Sequence, residues 1–204
     1  MSRRWLLAVA VLASATQLAV AAPDWALDAT QRAALQRGEV VVVANESADS
    51  SEARRAAVVR AAVRIKAPAA RVFSEMTDCK AALQYVPKMK RCVVLETSAD
   101  GRSQVVEHEV DYGWFMPSVS YVFRADYVPN RSIDFRHLRG DFRENSGRWE
   151  LTSDGAEATI LTYRVRMVPG FRVPQWLVRA SLKRELPELL RALRSRCELA
   201  EPTP

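Results

Sequence analysis

The chain has 204 residues, 49% hydrophobic and 26% charged, with a formal net charge of +6. That balance suits one globular domain of ordinary size with a short appendage, and it excludes a disordered or low-complexity chain. Three cysteines and two histidines are too few for a miniprotein built on disulfides.

Arg3 and Arg4 precede an apolar run from Trp5 to Ala13, and Ala19-Val20-Ala21 has the small-x-small form of a signal-peptidase site. Residues 1–21 are therefore expected to be a signal peptide cleaved near Ala21, leaving a periplasmic or secreted protein. Ser14, Thr16 and Gln17 interrupt the run and leave it short for a membrane span. Only five of the 30 basic residues are lysines. A solvated basic face is the simple reading of the arginine excess, and weak attraction to an anionic membrane is the other; export argues against a nucleic-acid partner.

Residues 22–56 read as an N-terminal extension. Within it, 25–37 has the pattern of a short amphipathic helix ending at Gly38, and 39–44 is a run of β-branched residues suited to a strand. The main domain is assigned to 57–199 and a tail to 200–204. From Ala57 to Ile65 alternate positions are apolar while Arg60 and Arg64 point the other way, so this strand should pair with 39–44 as a hairpin. Pro68 opens a helix with Phe73 and Met76 on its buried face, and 80–90 is a short helical or irregular crossing. Cys79 and Cys92 flank that crossing and form the natural disulfide of an exported protein. Cys197 is left over as a small buried hydrophobe.

Six alternating segments follow, at 92–97, 104–112, 118–127, 132–137, 147–152 and 158–167, separated by turn signals such as Asp100-Gly101 and Asp154-Gly155. Their inward face is rich in rings: Tyr112, Tyr121, Phe123, Phe135, Trp149 and Tyr163, with His108 and His137 on the same side. Such a face makes either a filled core or a cavity with a few polar handles. Last comes 171–197, in which Val178, Leu182, Leu186, Leu189, Leu190, Leu193 and Cys197 fall within roughly 120° of helix surface. Pro187 lies inside this stripe, where it removes the bond to the Lys183 carbonyl, predicting a helix that curves or breaks midway. The class is α+β, a curved antiparallel sheet wrapped on a long C-terminal helix.

Three strings carry a resemblance: Val63-x-Ile65-x-Ala67-Pro68-x-x-x-Val72-Phe73, then Tyr85-Val86-Pro87 followed by Cys92-Val93-Val94-Leu95-Glu96, and Gly147-x-Trp149-x-Leu151. In this order they resemble the START-like (SRPBCC) superfamily and its polyketide cyclase/dehydrase and coenzyme Q-binding branch. That likeness implies a helix-grip fold with a deep cavity between sheet and last helix, and mouth loops at 113–117 and 138–144. It points to a hydrophobic small molecule or lipid as partner, with Tyr112, Trp114, Phe115, Tyr121, Phe123, Phe135, Trp149, Tyr163, Arg179 and Leu182 as candidate ligand contacts. Trp114, Phe115 and Met116 are consecutive large apolar residues in a turn, suited to a cavity lip or peripheral membrane contact.

No nucleophile with its base, phosphate-binding glycine motif or metal-ligand spacing is written in the chain, so no cofactor, metal or catalytic residue is assigned. His108 and His137 are the weak candidates for acid–base work, with Tyr121 or Tyr163 as partner. Two alternatives to ligand sheltering stay open: an aromatase/cyclase-type enzyme using the same cavity, and a protein or membrane interaction module with a filled core. Arg179, a charge inside the apolar arc, could meet a ligand carboxylate or phosphate, or extend to solvent.

Overall fold

The computed structural model describes residues 26–45, 57–111 and 118–199. The expected signal peptide, the turn bearing Tyr112, Trp114, Phe115 and Met116, and the tail lie outside the described residues. Helix α1 (Ala29–Gln36) begins with a reciprocal cap in which the Gln31 amide donates to the Asp28 carboxylate at 2.8 Å and the Asp28 amide donates to the Gln31 side chain at 3.1 Å. Gly38, at φ +82°, turns the chain into β1 (Val41–Asn45), which pairs antiparallel with β2 (Ala57–Ile65). The extension is part of the fold: Leu35 is fully buried, and the Gly38 carbonyl accepts a bond from Arg194 at 2.7 Å.

Two short helices follow, α2 (Ala69–Thr77) and α3 (Cys79–Tyr85), then β3 (Met89–Thr97), β4 (Ser103–Val110), β5 (Val119–Val128), β6 (Ser132–Gly140), β7 (Phe142–Ser153), β8 (Thr159–Pro169) and α4 (Gln175–Glu198). One eight-stranded antiparallel sheet results, in the order β1-β2-β8-β7-β6-β5-β4-β3, with the long helix laid across its inner face. This is the helix-grip arrangement. The 80–90 crossing is resolved into α3 and the start of β3, which begins three residues before the predicted strand because Met89 already pairs with Val110.

Helix α4 does not break at Pro187 but runs through it as one helix. Leu186, Leu190, Leu193 and Cys197 are buried on one side, while Arg184, Glu188 and Arg191 are exposed. Its last turns are fastened to the rest of the molecule. Arg196 donates to the buried Glu75 carboxylate at 2.9 Å, Arg71 pairs with the same carboxylate at 3.1 Å, and Glu198 accepts from the Lys66 amide at 2.8 Å. Burial also sends the Cys197 thiol up to about 11, with the Glu75 charge a lesser cause, so it stays protonated and unreactive at neutral pH.

A second correction concerns 138–144, expected as a mouth loop. These residues end β6 and start β7, with Asp141 alone between the strands. β6 and β7 pair only from Ser132–Arg136 to Ser146–Glu150; beyond that Gly140 pairs with Tyr121 of β5 and Phe142 with Pro169 of β8. The two strands part, and Asp141 holds the corner. Its amide donates to Ser120 at 2.9 Å, its carboxylate accepts from the Ser120 amide at 2.7 Å, and its carbonyl accepts from Gly170 at 2.8 Å. Gly140, at φ +118°, has no room for a Cβ, which would collide with the Ser120 carbonyl.

The arginines of the strands lie on the outer face, mostly paired: Arg148 with Asp134 and Glu150, Arg166 with Glu144, Arg64 with Asp154. Pairs this open to water contribute little to stability.

Candidate functional site

Inward side chains from β4 to β8, with α2, α3 and α4 above them, enclose a cavity of about 200 Å³. The filled-core alternative therefore does not describe this interior. Parity explains which residues line it. Val106 of β4 faces Phe123 of β5, and His108 faces Tyr121, two residues further along. Phe135 of β6 lies opposite Gly147 of β7, where a Cβ would strike the Arg164 carbonyl of β8 and the Phe135 ring, so the glycine of the Gly-x-Trp-x-Leu string lets both come close. Phe135 then stacks toward Tyr163 at 6.0 Å between centroids, and Trp149 lies flat on Tyr163 at 3.7 Å. On the other side the rings meet edge to face, His108 with Phe123 at 4.8 Å and Phe123 with Phe135 at 6.3 Å.

Among the residues expected to contact a ligand, the structure brings Tyr121, Phe123, Phe135, Trp149 and Tyr163 together on this one wall. Leu182 is not on it. With Val178, Phe142 and Phe171 it lines a second, apolar hollow of about 40 Å³ beneath the first half of α4, and Met167 is the residue shared by both spaces. Arg179 lines neither. His137 is on the inward side as its parity requires, but it stands at the split between β6 and β7 and is not part of the cavity wall; its Nδ1 is buried with no hydrogen-bond partner among the described residues.

The polar handles are few. His108 Nδ1 lies 3.2 Å from the Tyr121 hydroxyl, and burial holds the imidazole neutral, its pKa brought down to about 4. The Tyr127 hydroxyl donates to Gln104 at 2.9 Å, and its own pKa is pushed up to about 12, mainly by burial. Asn145, buried and inward-facing just where β7 leaves β6, adds a carboxamide. The roof is the α2–α3 junction. There Asp78 caps α3 by accepting from the Lys80 amide at 2.8 Å, and the Cys79–Cys92 disulfide, with Cα atoms 5.2 Å apart, ties helix to strand in the cavity wall. Sequence reading missed Gln104, Tyr127 and Asn145 as lining residues. Gln104 and Tyr127 lie in predicted strands whose inward set had been chosen by apolarity, although period-two parity alone would have found both, and Asn145 fell between the predicted loop at 138–144 and the strand at 147–152. Among the described residues no three His, Cys, Asp or Glu side chains gather as a metal site would require.

Residues 65–194 match the family model described as polyketide cyclase / dehydrase and lipid transport, more than half of the chain. The chain belongs to this family. No curated protein matches it by sequence. Among solved structures, it is similar to the Zhui aromatase/cyclase of Streptomyces sp. R1128, with 22% identity, a TM-score of 0.61, and 70% of this chain and 94% of that one covered. It is also similar to a START superfamily protein of Mycobacterium smegmatis, with 25% identity, a TM-score of 0.62 and coverages of 69% and 97%. A STAR-related lipid transfer protein fragment from Xanthomonas axonopodis gives 22% identity, a TM-score of 0.64 and coverages of 78% and 93%. These likenesses establish the START-like fold, one typical of hydrophobic ligand binding.

Proposed function

We propose that this protein is an exported START-like domain that shelters a hydrophobic small molecule or lipid between its sheet and α4. The observation that carries the reading is the wall of rings around an unfilled space: interiors are normally packed to density, and this one is left open where the largest side chains are. The Cys79–Cys92 bridge is compatible with the oxidising compartment that the N-terminal pattern suggests. Peripheral membrane contact is supported by the Trp114-Phe115-Met116 string and by Trp176, 65% exposed at the start of α4.

The aromatase/cyclase alternative has one observation in its favour, the His108–Tyr121 pair facing the cavity. A pKa near 4 makes His108 a weak base at neutral pH, however, and general acid–base catalysis works best near the operating pH. Binding is therefore the reading we favour.

Native mass spectrometry of protein purified from the periplasm, with organic extraction, tests it. A reproducible co-purifying molecule of low polarity is expected. Protein that stays in the cytoplasm with an uncleaved N-terminus would remove the exported part. Protein that carries nothing, and takes up no apolar probe, would remove the binding part.

A further inference from the structure

The charge on the cavity lining is one-sided. Among the described residues, the main cavity has a single charged lining residue, Asp78, and the smaller hollow has Glu185 alone; neither has a Lys or Arg. Both acids already hold partners, Asp78 the Lys80 amide and Glu185 the Lys88 ammonium at 2.9 Å. What remains to greet a ligand is neutral: the His108–Tyr121 pair, Gln104 with Tyr127, and the Asn145 carboxamide.

Building on the binding reading above, we propose that the cavity selects an uncharged, ring-bearing ligand with a carbonyl or hydroxyl group and rejects ionised carboxylates and phosphates. A carboxylate carried inside would give up its water without meeting a cation, and would face the Asp78 carboxylate and the negative faces of the rings. A neutral carbonyl loses far less and finds a donor in Asn145 or in the imidazole–phenol pair. His108 supplies no counter-charge, since burial keeps it neutral well below pH 7. Size agrees with the ring requirement: an apolar cavity of ~150 Å³ takes one benzene ring, so about 200 Å³ suits one ring or two fused rings stacked toward Trp149 and Tyr163.

The test uses one ring system in two charge states. Delipidated full-length mature protein, disulfide intact, is titrated calorimetrically at pH 7 with 2-acetylnaphthalene and with 2-naphthoate, in high salt to screen the outer-face arginines. The ketone is expected to bind at least about tenfold more tightly. Asn145→Lys, which sets a cation in the wall, should narrow or reverse that gap; if it lacks a thermal transition, Gln104→Lys takes its place, and the unmodified protein decides the matter by itself. Naphthoate binding as tightly as the ketone overturns charge selection and leaves the cavity reading standing. Failure of both probes to bind overturns the cavity reading, and this inference with it.

Discussion

Along β2 the inward side chains are small or β-branched, and Val59, Ala61, Val63 and Ile65 have no exposed surface at all. Between β4 and β7 they are large rings, yet Tyr121, Phe123, Phe135 and Trp149 are only half-buried. The difference lies in what covers them. At the first end Leu186, Leu190 and Leu193 of α4 lie on the sheet, and the small side chain of Ala61 lets the helix come close. At the other end the roof is α2 and α3, held off by their own packing, Phe73 edge-on to Tyr127 at 5.9 Å, and by the Cys79–Cys92 bridge. Rings there build a wall instead of a filling, and the half-exposed surface they keep faces the cavity.

Four measurements would break or sharpen this contrast. The largest loss should come at the packed end: Leu190→Ala is expected to cost about 2–5 kcal/mol, read from the urea midpoint. Phe123→Ala should cost less although it removes a bigger side chain, because part of that ring already borders empty space. Equal losses would mean that the two ends are packed alike. Next in size is the bridge. Replacing Cys79 and Cys92 together by serine should lower stability by about 3 kcal/mol, as should reductant on the unaltered protein. A melting temperature indifferent to reductant would show that the bridge contributes nothing.

The third effect is acid sensitivity centred on the cavity end. Burial lowers the His108 pKa from 6.5 to about 4, so between these values the unfolded chain takes up a proton that the folded one refuses. Stability should therefore be fully present above pH 6.5 and fall as the pH drops toward 4, by about 3 kcal/mol at most. His108→Phe should flatten that part of the profile, and parallel profiles for the two proteins would place His108 in water. The smallest effect concerns Met167, between the two hollows. Met167→Ala, at a half-buried position, should cost at or below the low end of the roughly 2–5 kcal/mol for a buried methionine. In a series of n-alkyl phenyl ketones, affinity should go on rising past the length at which the parent levels off, by about 0.8 kcal/mol for each further methylene buried. An unchanged limit would show that the hollows do not communicate there.

Much of this molecule was legible before its structure. Period-two alternation placed the strands and gave Tyr121, Phe123, Phe135, Trp149 and Tyr163 a common side, because side chains of a strand can only point two ways. The stripe from Leu186 to Cys197 required a sheet to lie on, since an apolar helix face has nowhere else to go in water. Other features were decided only in three dimensions. The stretch 138–144 reads as a loop, but its two sides take different neighbours, β5 and β8, and partner choice is a property of the sheet and not of the segment. Gln104 is polar, and polarity in a strand signals the solvent side unless an enclosed space waits on the inner one. Pro187 stays within a continuous helix, since the buried leucines on both sides of it hold α4 to its neighbours. Whether rings fill a core or line a cavity depends on the gap between sheet and roof, a distance set by helix packing and a disulfide far apart in sequence from most of the rings they cover.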